Sequence, residues 1–149
     1  MREIKGVVAN FQASSKKQVL LELARQTDEL THTGSDLVFE MLLQRERLGS
    51  TGIGHGIAIP HARLPGLDRV YGVFAHLAKP VDFDSVDDEP VDLVFLLLAP
   101  ENDGADHLKA LAKVSRILRD KAVCDRLRNT DSVESTYALL DELDFFDAA

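Results

Sequence analysis

The sequence is poor in cysteine and has no long apolar segment. Cys124 is the only cysteine among 149 residues, which excludes an intrachain disulfide and a cysteine metal cluster. The longest apolar run, LVFLLLAP, is far shorter than the roughly 20 residues that a membrane-spanning helix needs. The N-terminal segment MREIKGVVANF also lacks the apolar core of a secretory signal. We therefore expect a cytoplasmic protein without stable membrane insertion.

Basic residues are scarce relative to acidic ones. The sequence has 17 Lys and Arg against 25 Asp and Glu, which gives a formal net charge of -8. A nucleic-acid-binding protein needs a basic face that neutralises phosphates, so this balance argues against nucleic acid as a partner. Three arginines, Arg45, Arg47 and Arg63, nevertheless flank a glycine-rich motif.

Helical spacing of apolar residues recurs along the chain. It covers residues 14–30, 34–50, 105–120 and the segment after 131, with a short helix between the last two. The apolar stripe of the 105–120 helix includes Leu108, and that of the last helix includes Tyr137. The expected N-terminal caps are polar residues that can accept a hydrogen bond from the first turn: Ser14 or Ser15, Ser35, and a capping arrangement of Asp131 with Glu134.

Three segments have the pattern of strands. They are residues 56–60, 70–77 and 91–100, of which the last is so continuously apolar that both its faces should be covered. Because helices flank and alternate with these strands, we predict an α/β fold with helices packed on a sheet. The length favours one domain over residues 1–149.

The stretch TGIGHGIAIPHAR, residues 51–63, alternates glycine with other residues and has a proline followed by a histidine near its end. Its spacing does not match the dinucleotide fingerprint, and no GK[ST] follows that would indicate a P-loop. A bulged or tightly turning strand is one interpretation. The other is an anion cradle, in which the backbone amides of Gly54, His55 and Gly56 face a ligand. Pro60 stiffens the chain immediately before His61.

Five histidines are present, and a neutral imidazole can serve as a nucleophile, base or metal ligand. His55 and His61 are six residues apart, which is not the spacing of a helical metal-binding pair. A cluster of His107 with Asp103 and Asp106 is conceivable, but we predict no metal site. A hydrolytic triad is disfavoured because there is no GxSxG nucleophile motif.

Two longer segments together resemble a known family. LGSTGIGHGIAIPHARL, residues 48–64, followed by APENDGADHLKALAKVSRIL, residues 99–118, resembles the IIA domains of the bacterial phosphotransferase system, in their mannitol/fructose class. The similarity covers about residues 5–145 and is greatest to the nitrogen-regulatory members of that class. The resemblance implies a mixed β-sheet flanked by helices. It also implies a histidine that accepts a phosphoryl group from a small, histidine-phosphorylated HPr-like carrier, without a cofactor or metal.

The resemblance assigns roles to particular positions. His61, which follows GIAIP, corresponds to the phosphoacceptor, with Nε2 as the accepting atom. His107 corresponds to a second pocket histidine that stabilises the phosphoryl group, and Arg45 to an arginine that neutralises its charge. The amides of residues 54–56 are then expected to donate further hydrogen bonds to the phosphoryl oxygens. A backbone carbonyl or a carboxylate should bind the other ring nitrogen of His61.

Three functions remain open on the sequence. The leading one is a regulatory phosphocarrier, whose phosphorylation state changes which target proteins it binds; a single domain without an attached IIB segment favours it. The second is a IIA component of sugar uptake that passes phosphate to a IIB partner. The third is a binding module that keeps the pocket but is not phosphorylated.

Overall fold

The structure, a computed structural model, describes residues 4–102 and 104–146. In these ranges it has six strands and five helices. The strands are β1 (Lys5–Ala9), β2 (Gly52–Gly54), β3 (Ile57–Ala58), β4 (His61–Leu64), β5 (Tyr71–Val81) and β6 (Val91–Pro100). The helices are α1 (Lys16–Thr31), α2 (Ser35–Arg47), α3 (Gly104–Leu118), α4 (Lys121–Arg128) and α5 (Val133–Glu142). None of the helices described is both long and apolar enough to cross a bilayer.

All six strands belong to one mixed sheet, in the order β1-β5-β6-β3-β2, with β4 also paired to β6. β5 runs antiparallel to β6, whereas β3 and β4 both run parallel to it, one after the other. Pro60 separates β3 from β4, and its carbonyl accepts a hydrogen bond from the Leu97 amide at 2.9 Å. The expected α/β fold with a mixed sheet flanked by helices is confirmed.

Strand β6 is buried on both of its faces, as its continuous apolar sequence predicts. Leu96 and Leu98 belong to a core cluster shared with α1 and α2. Phe95 and Leu97 belong to a second cluster, shared with α3, α4 and α5. Because side chains alternate along a strand, the two clusters lie on opposite faces of the sheet, and the protein has three layers.

The helix starts agree only in part with the expected caps. Ser15 caps α1, and its side chain accepts a hydrogen bond from the Gln18 amide. Ser35 is not a cap but the first residue of α2, because Gly34 occupies the capping position without a side-chain hydrogen bond. The expected Asp131 and Glu134 arrangement is also wrong. Instead, Ser132 and Ser135 bind each other's backbone at the start of α5.

Two apolar residues expected on buried helix faces are exposed. Leu108 is 68% exposed near the start of α3, and Tyr137 is 44% exposed on α5. Tyr137 stacks instead on the Phe146 ring, with the centroids 4.9 Å apart. Leu108 lines a surface depression.

Candidate functional site

His61 is the first residue of β4, where that strand pairs with Leu97 of β6. Ala62 and Leu64 point into the core shared with α1 and α2. By alternation, the His61 side chain points toward the layer that contains α3. The ring is half-buried, so that it is held by its surroundings and still open to solvent.

Both ring nitrogens of His61 have a partner. Nδ1 lies 2.9 Å from the Ile59 carbonyl oxygen, which can only accept, so Nδ1 carries the proton. The Arg45 Nε–H donates to Nε2 at 3.2 Å, which requires a lone pair on that atom. The same guanidinium donates through Nη1 to the Gly49 carbonyl at 2.9 Å. The arrangement therefore fixes the tautomer in which Nε2 is the nucleophilic atom, and the expected backbone carbonyl is that of Ile59.

The surroundings of His61 favour its neutral form. Burial lowers the pKa of His61 below its ordinary value, and the Arg45 charge lowers it further. The hydrogen bond to the Ile59 carbonyl and the Glu46 carboxylate act in the opposite direction. The net lowering means that the Nε2 lone pair is available near neutral pH.

His107, in the first turn of α3, lies beside His61. The ring centroids are 5.5 Å apart and the ring planes meet at 62°. The residue is only 6% exposed, and its Nε2 is buried with no hydrogen-bond partner among the described residues. Burial, the neighbouring His61 and Arg63 lower the pKa of His107 to about 4, so the ring is neutral. A neutral imidazole keeps one N–H, which can donate to an incoming anion.

The lowered pKa of His107 predicts acid-sensitive stability. An unfolded histidine titrates near 6.5 and the folded ring near about 4, so in between only the unfolded chain binds the proton. Protonation therefore favours unfolding, and the free energy of unfolding should fall by roughly 3 kcal/mol as the pH drops through this window. Well above pH 6.5 the histidine is neutral in both states, so the free energy of unfolding should no longer depend on His107. Urea unfolding at a series of pH values measures this.

The variant His107→Gln should lose most of that acid slope. His32→Asn is a suitable control, because His32 is exposed after α1 and has the left-handed backbone that Asn also accepts. The control should retain the wild-type slope. Equal slopes for wild type and His107→Gln would show that His107 titrates normally.

An open depression surrounds the two histidines. It is about 520 Å³ in volume, and no acidic residue lines it among those described. Four large apolar residues among those that line it form what we call the apolar rim: Met41, Leu48, Leu108 and Leu111. Leu48 is 85% exposed and Leu108 68%, and exposed apolar side chains grouped around a polar centre indicate a protein-binding surface.

Strands β2 and β3 form an antiparallel hairpin, which carries Gly54, His55 and Gly56. This glycine hairpin does not reach the depression around His61. Ile57 pairs with Leu93 of β6, whereas His61 pairs with Leu97, about 13 Å further along the strand. The His55 amide donates instead to the Asp87 carboxylate at 2.9 Å. The structure therefore places Gly54, His55 and Gly56 apart from His61, toward the other end of β6, and gives the His55 amide a carboxylate partner.

The hairpin has a structural role at the other end of the sheet. Arg128 of α4 donates to the His55 carbonyl at 2.8 Å and pairs with Asp92 at 2.9 Å. Gly56 has a positive φ of 80°, and its carbonyl accepts hydrogen bonds from Asp92 and Leu93 at 3.0 Å. The glycines thus allow a tight turn, and hydrogen bonds hold this turn to β6 and α4.

The alternative metal cluster involves a residue outside the described ranges, Asp103. Among the residues that are described, no three His, Cys, Asp or Glu side chains lie close enough together to hold a metal ion. Arg63 lines the depression and is exposed, whereas Arg47 points away to Glu40 at 4.0 Å.

Sequence reasoning missed Glu46, which lies beside Arg45 at the end of α2. Its side chain is only 6% exposed, and it receives hydrogen bonds from the amide and the hydroxyl of Thr51. The available signal was the pair Arg45–Glu46 followed closely by Ser50–Thr51. That pattern does not by itself show that the carboxylate turns inward.

Comparison with known proteins agrees with this geometry. Residues 2–143 match the family model described as the phosphoenolpyruvate-dependent sugar phosphotransferase system, EIIA 2. A nitrogen regulatory protein of Bradyrhizobium diazoefficiens is 51% identical over 91% of this chain and 88% of its own. A fructose-specific EIIA component of Haloferax volcanii is 37% identical over 72% of this chain and 70% of its own.

A solved structure has the same fold as this chain. The crystal structure of the nitrogen regulatory protein IIA-Ntr from Neisseria meningitidis superimposes with a TM-score of 0.83 at 38% identity. The match covers 89% of this chain and 91% of that one. The sequence match over most of the chain and the shared architecture lead to the same assignment: this chain belongs to the EIIA 2 family of the phosphoenolpyruvate-dependent sugar phosphotransferase system.

Proposed function

We propose that this protein is a nitrogen-regulatory phosphocarrier that accepts a phosphoryl group on Nε2 of His61 from a histidine-phosphorylated, HPr-like carrier. The observation that carries the proposal is the hydrogen-bonding of the His61 ring. Nδ1–H is committed to the Ile59 carbonyl at 2.9 Å, which leaves the lone pair on Nε2. The similarity to nitrogen regulatory proteins supports the regulatory rather than the transport role.

The transfer needs no base in this site. The Nε2 lone pair attacks the phosphorus, the N–P bond of the donor breaks, and its electron pair returns to the donor imidazole. His61 keeps its Nδ1 proton on the Ile59 carbonyl throughout, so the new positive charge on the ring is held by an existing hydrogen bond. The protein contributes position and charge rather than covalent chemistry, as phosphoryl transfer requires.

Arg45 changes partner during this step. Its Nε–H now occupies Nε2 of His61 at 3.2 Å, where the N–P bond will form. When the phosphoryl group arrives, the guanidinium is in position to bind its oxygens, which carry a charge of about -1.5 to -2. His107 lies on the other side of His61 and can donate its remaining N–H.

The apolar rim connects phosphorylation to regulation. The unmodified site presents exposed leucines around a neutral, half-buried imidazole, which suits an apolar face on another protein. Phosphorylation introduces a dianion at the centre of that surface. Burying the dianion against an apolar partner carries a desolvation cost, so the two forms should bind different proteins.

Intact-mass spectrometry tests the proposal. The protein is incubated with phosphoenolpyruvate and the two general phosphotransferase proteins, and the modified residue is located by fragmentation under non-acidic conditions. We expect one acid-labile phosphoryl group, on His61. An unmodified mass, with a known IIA domain phosphorylated in parallel, would contradict the phosphocarrier role and favour an unphosphorylated binding module.

The similarity to a fructose-specific EIIA component supports one alternative, transport of phosphate to a IIB partner. Loss of phosphate from the phosphorylated protein in the presence of a IIB domain, accelerated by sugar, would support transport. Phosphate that remains on the protein under those conditions would support the regulator.

A further inference from the structure

We infer that Glu46 is a positioning residue that holds both hydrogen bonds of the His61 ring in place. The inference rests on the phosphoacceptor role proposed above. Glu46 does not contact the ring itself, so its action passes through other residues. Two separate routes lead from its carboxylate to the two ring nitrogens.

The first route leads to Nδ1 through the backbone. Glu46 Oε2 accepts the Thr51 amide at 3.1 Å, and Oε1 accepts the Thr51 hydroxyl. The Thr51 carbonyl in turn accepts the Ile59 amide at 3.0 Å. The Ile59 carbonyl binds Nδ1 of His61 at 2.9 Å, and this bond sets the tautomer. Thr51 and Ile59 are both buried, at 4% and 3% exposed, so the chain of contacts is shielded from water.

The second route leads to Nε2 through Arg45. Arg45 is the neighbour of Glu46 in the last turn of α2, and its guanidinium spans from Nε2 of His61 to the Gly49 carbonyl. Gly49 lies in the short connection between α2 and Thr51. Since Glu46 binds Thr51, it fixes the far end of that connection and with it the carbonyl that orients Arg45.

The charge of Glu46 is balanced within this network. Lys16 of α1 lies 2.8 Å from Oε2, and its side chain is only 20% exposed. With Lys16 and the two groups of Thr51 as partners, the carboxylate is well satisfied although it is nearly buried. The Glu46 carboxylate raises the pKa of His61, whereas burial and the Arg45 charge lower it.

The test uses Glu46→Gln, which keeps the size of the side chain and removes its charge. Nitrogen-15 NMR of labelled histidine reports the tautomer and the pKa of His61 without any phosphorylation. We expect a mixture of tautomers in the variant, a His61 pKa below that of wild type, and phosphoryl transfer slowed roughly tenfold to a hundredfold. Glu40→Gln, an exposed glutamate on the same helix, is the matched control and should behave as wild type.

Two changes at Thr51 keep the test informative if Glu46→Gln does not fold. Thr51→Val removes the hydroxyl and keeps the amide. It should therefore shift the tautomer of His61 in the same direction as Glu46→Gln does, but by a smaller amount. Thr51→Ser restores the hydroxyl and should return the wild-type tautomer and transfer rate. A merely structural role would lower thermal stability in Glu46→Gln and Thr51→Val but leave the tautomer of the folded protein unchanged.

The outcomes separate this inference from the proposed function. A folded Glu46→Gln protein with the wild-type tautomer, pKa and transfer rate overturns the positioning role, even if His61 is phosphorylated. A wild-type protein that takes no phosphate on His61 overturns the phosphocarrier function. In that case a changed tautomer in Glu46→Gln would still show that Glu46 positions the ring.

Discussion

The variant His61→Ala should take up no phosphate from a phosphorylated HPr-like carrier. Alanine has no lone pair to attack the phosphorus. The neighbouring imidazole, that of His107, is only 6% exposed and lies on a different element, α3. Radiolabel or intact mass measured after alkaline work-up should therefore show only background incorporation, while the wild-type protein approaches one phosphoryl group per chain.

A histidine outside the depression provides the control for that experiment. His55 is exposed in the hairpin and has a φ of 56°, which asparagine accepts more readily than alanine, so His55→Asn is the suitable substitution. It should be phosphorylated like wild type. An acid-labile phosphate on folded His61→Ala would move the acceptor to another residue.

Replacing Arg45 by methionine should slow phosphoryl transfer by about 10² to 10³, the usual effect of losing one donor aimed at developing charge. The variant loses the hydrogen bond to Nε2, which is the only one that a guanidinium donates to the ring among the described residues. Arg45→Lys keeps the charge but not the planar fork and should lie between the two. Rapid-quench kinetics with a phosphorylated carrier measures these rates.

The same variant has a second readout at His61. Since the Arg45 charge lowers the pKa of His61, Arg45→Met should raise that pKa toward its ordinary value. Transfer should then begin to fail at a higher pH than in wild type, because protonation removes the Nε2 lone pair. Arg47→Met is the control, since Arg47 is 68% exposed and points to Glu40. Wild-type rates in Arg45→Met would remove Arg45 from the transfer step.

Long elements of the fold could be predicted from the sequence, whereas the short strands could be predicted only in part: the segment 56–60 indicated β3, but no predicted strand covered β1, β2 or β4. The apolar run of β6 predicted a strand covered on both faces, because its two alternating sets of side chains are both apolar. Strands β2, β3 and β4 have only two to four residues each, and they form by pairing with β6 or, for β2, with β3. The sequence likewise did not distinguish the caps Gly34 and Ser132 from the adjacent polar residues Ser35 and Asp131.

The site residues that belong to a family motif could be predicted from the sequence. Those that are placed by contacts between distant segments of the chain could not. His61, Arg45 and His107 were expected together from the family resemblance, and the structure brings them together. The glycines indicated a flexible backbone but not which end of the sheet it occupies. Glu46 was missed because one of its partners, Lys16, lies 30 residues away on another helix.

The depression draws its residues from both helical layers. Arg45 comes from α2 on one side of the sheet and His107 from α3 on the other, and they meet at His61. A partly folded form with only one layer docked would therefore present an incomplete acceptor. If the protein accepts phosphate on His61 as proposed, phosphate uptake would therefore report the complete three-layer architecture and not the docking of one helical layer alone.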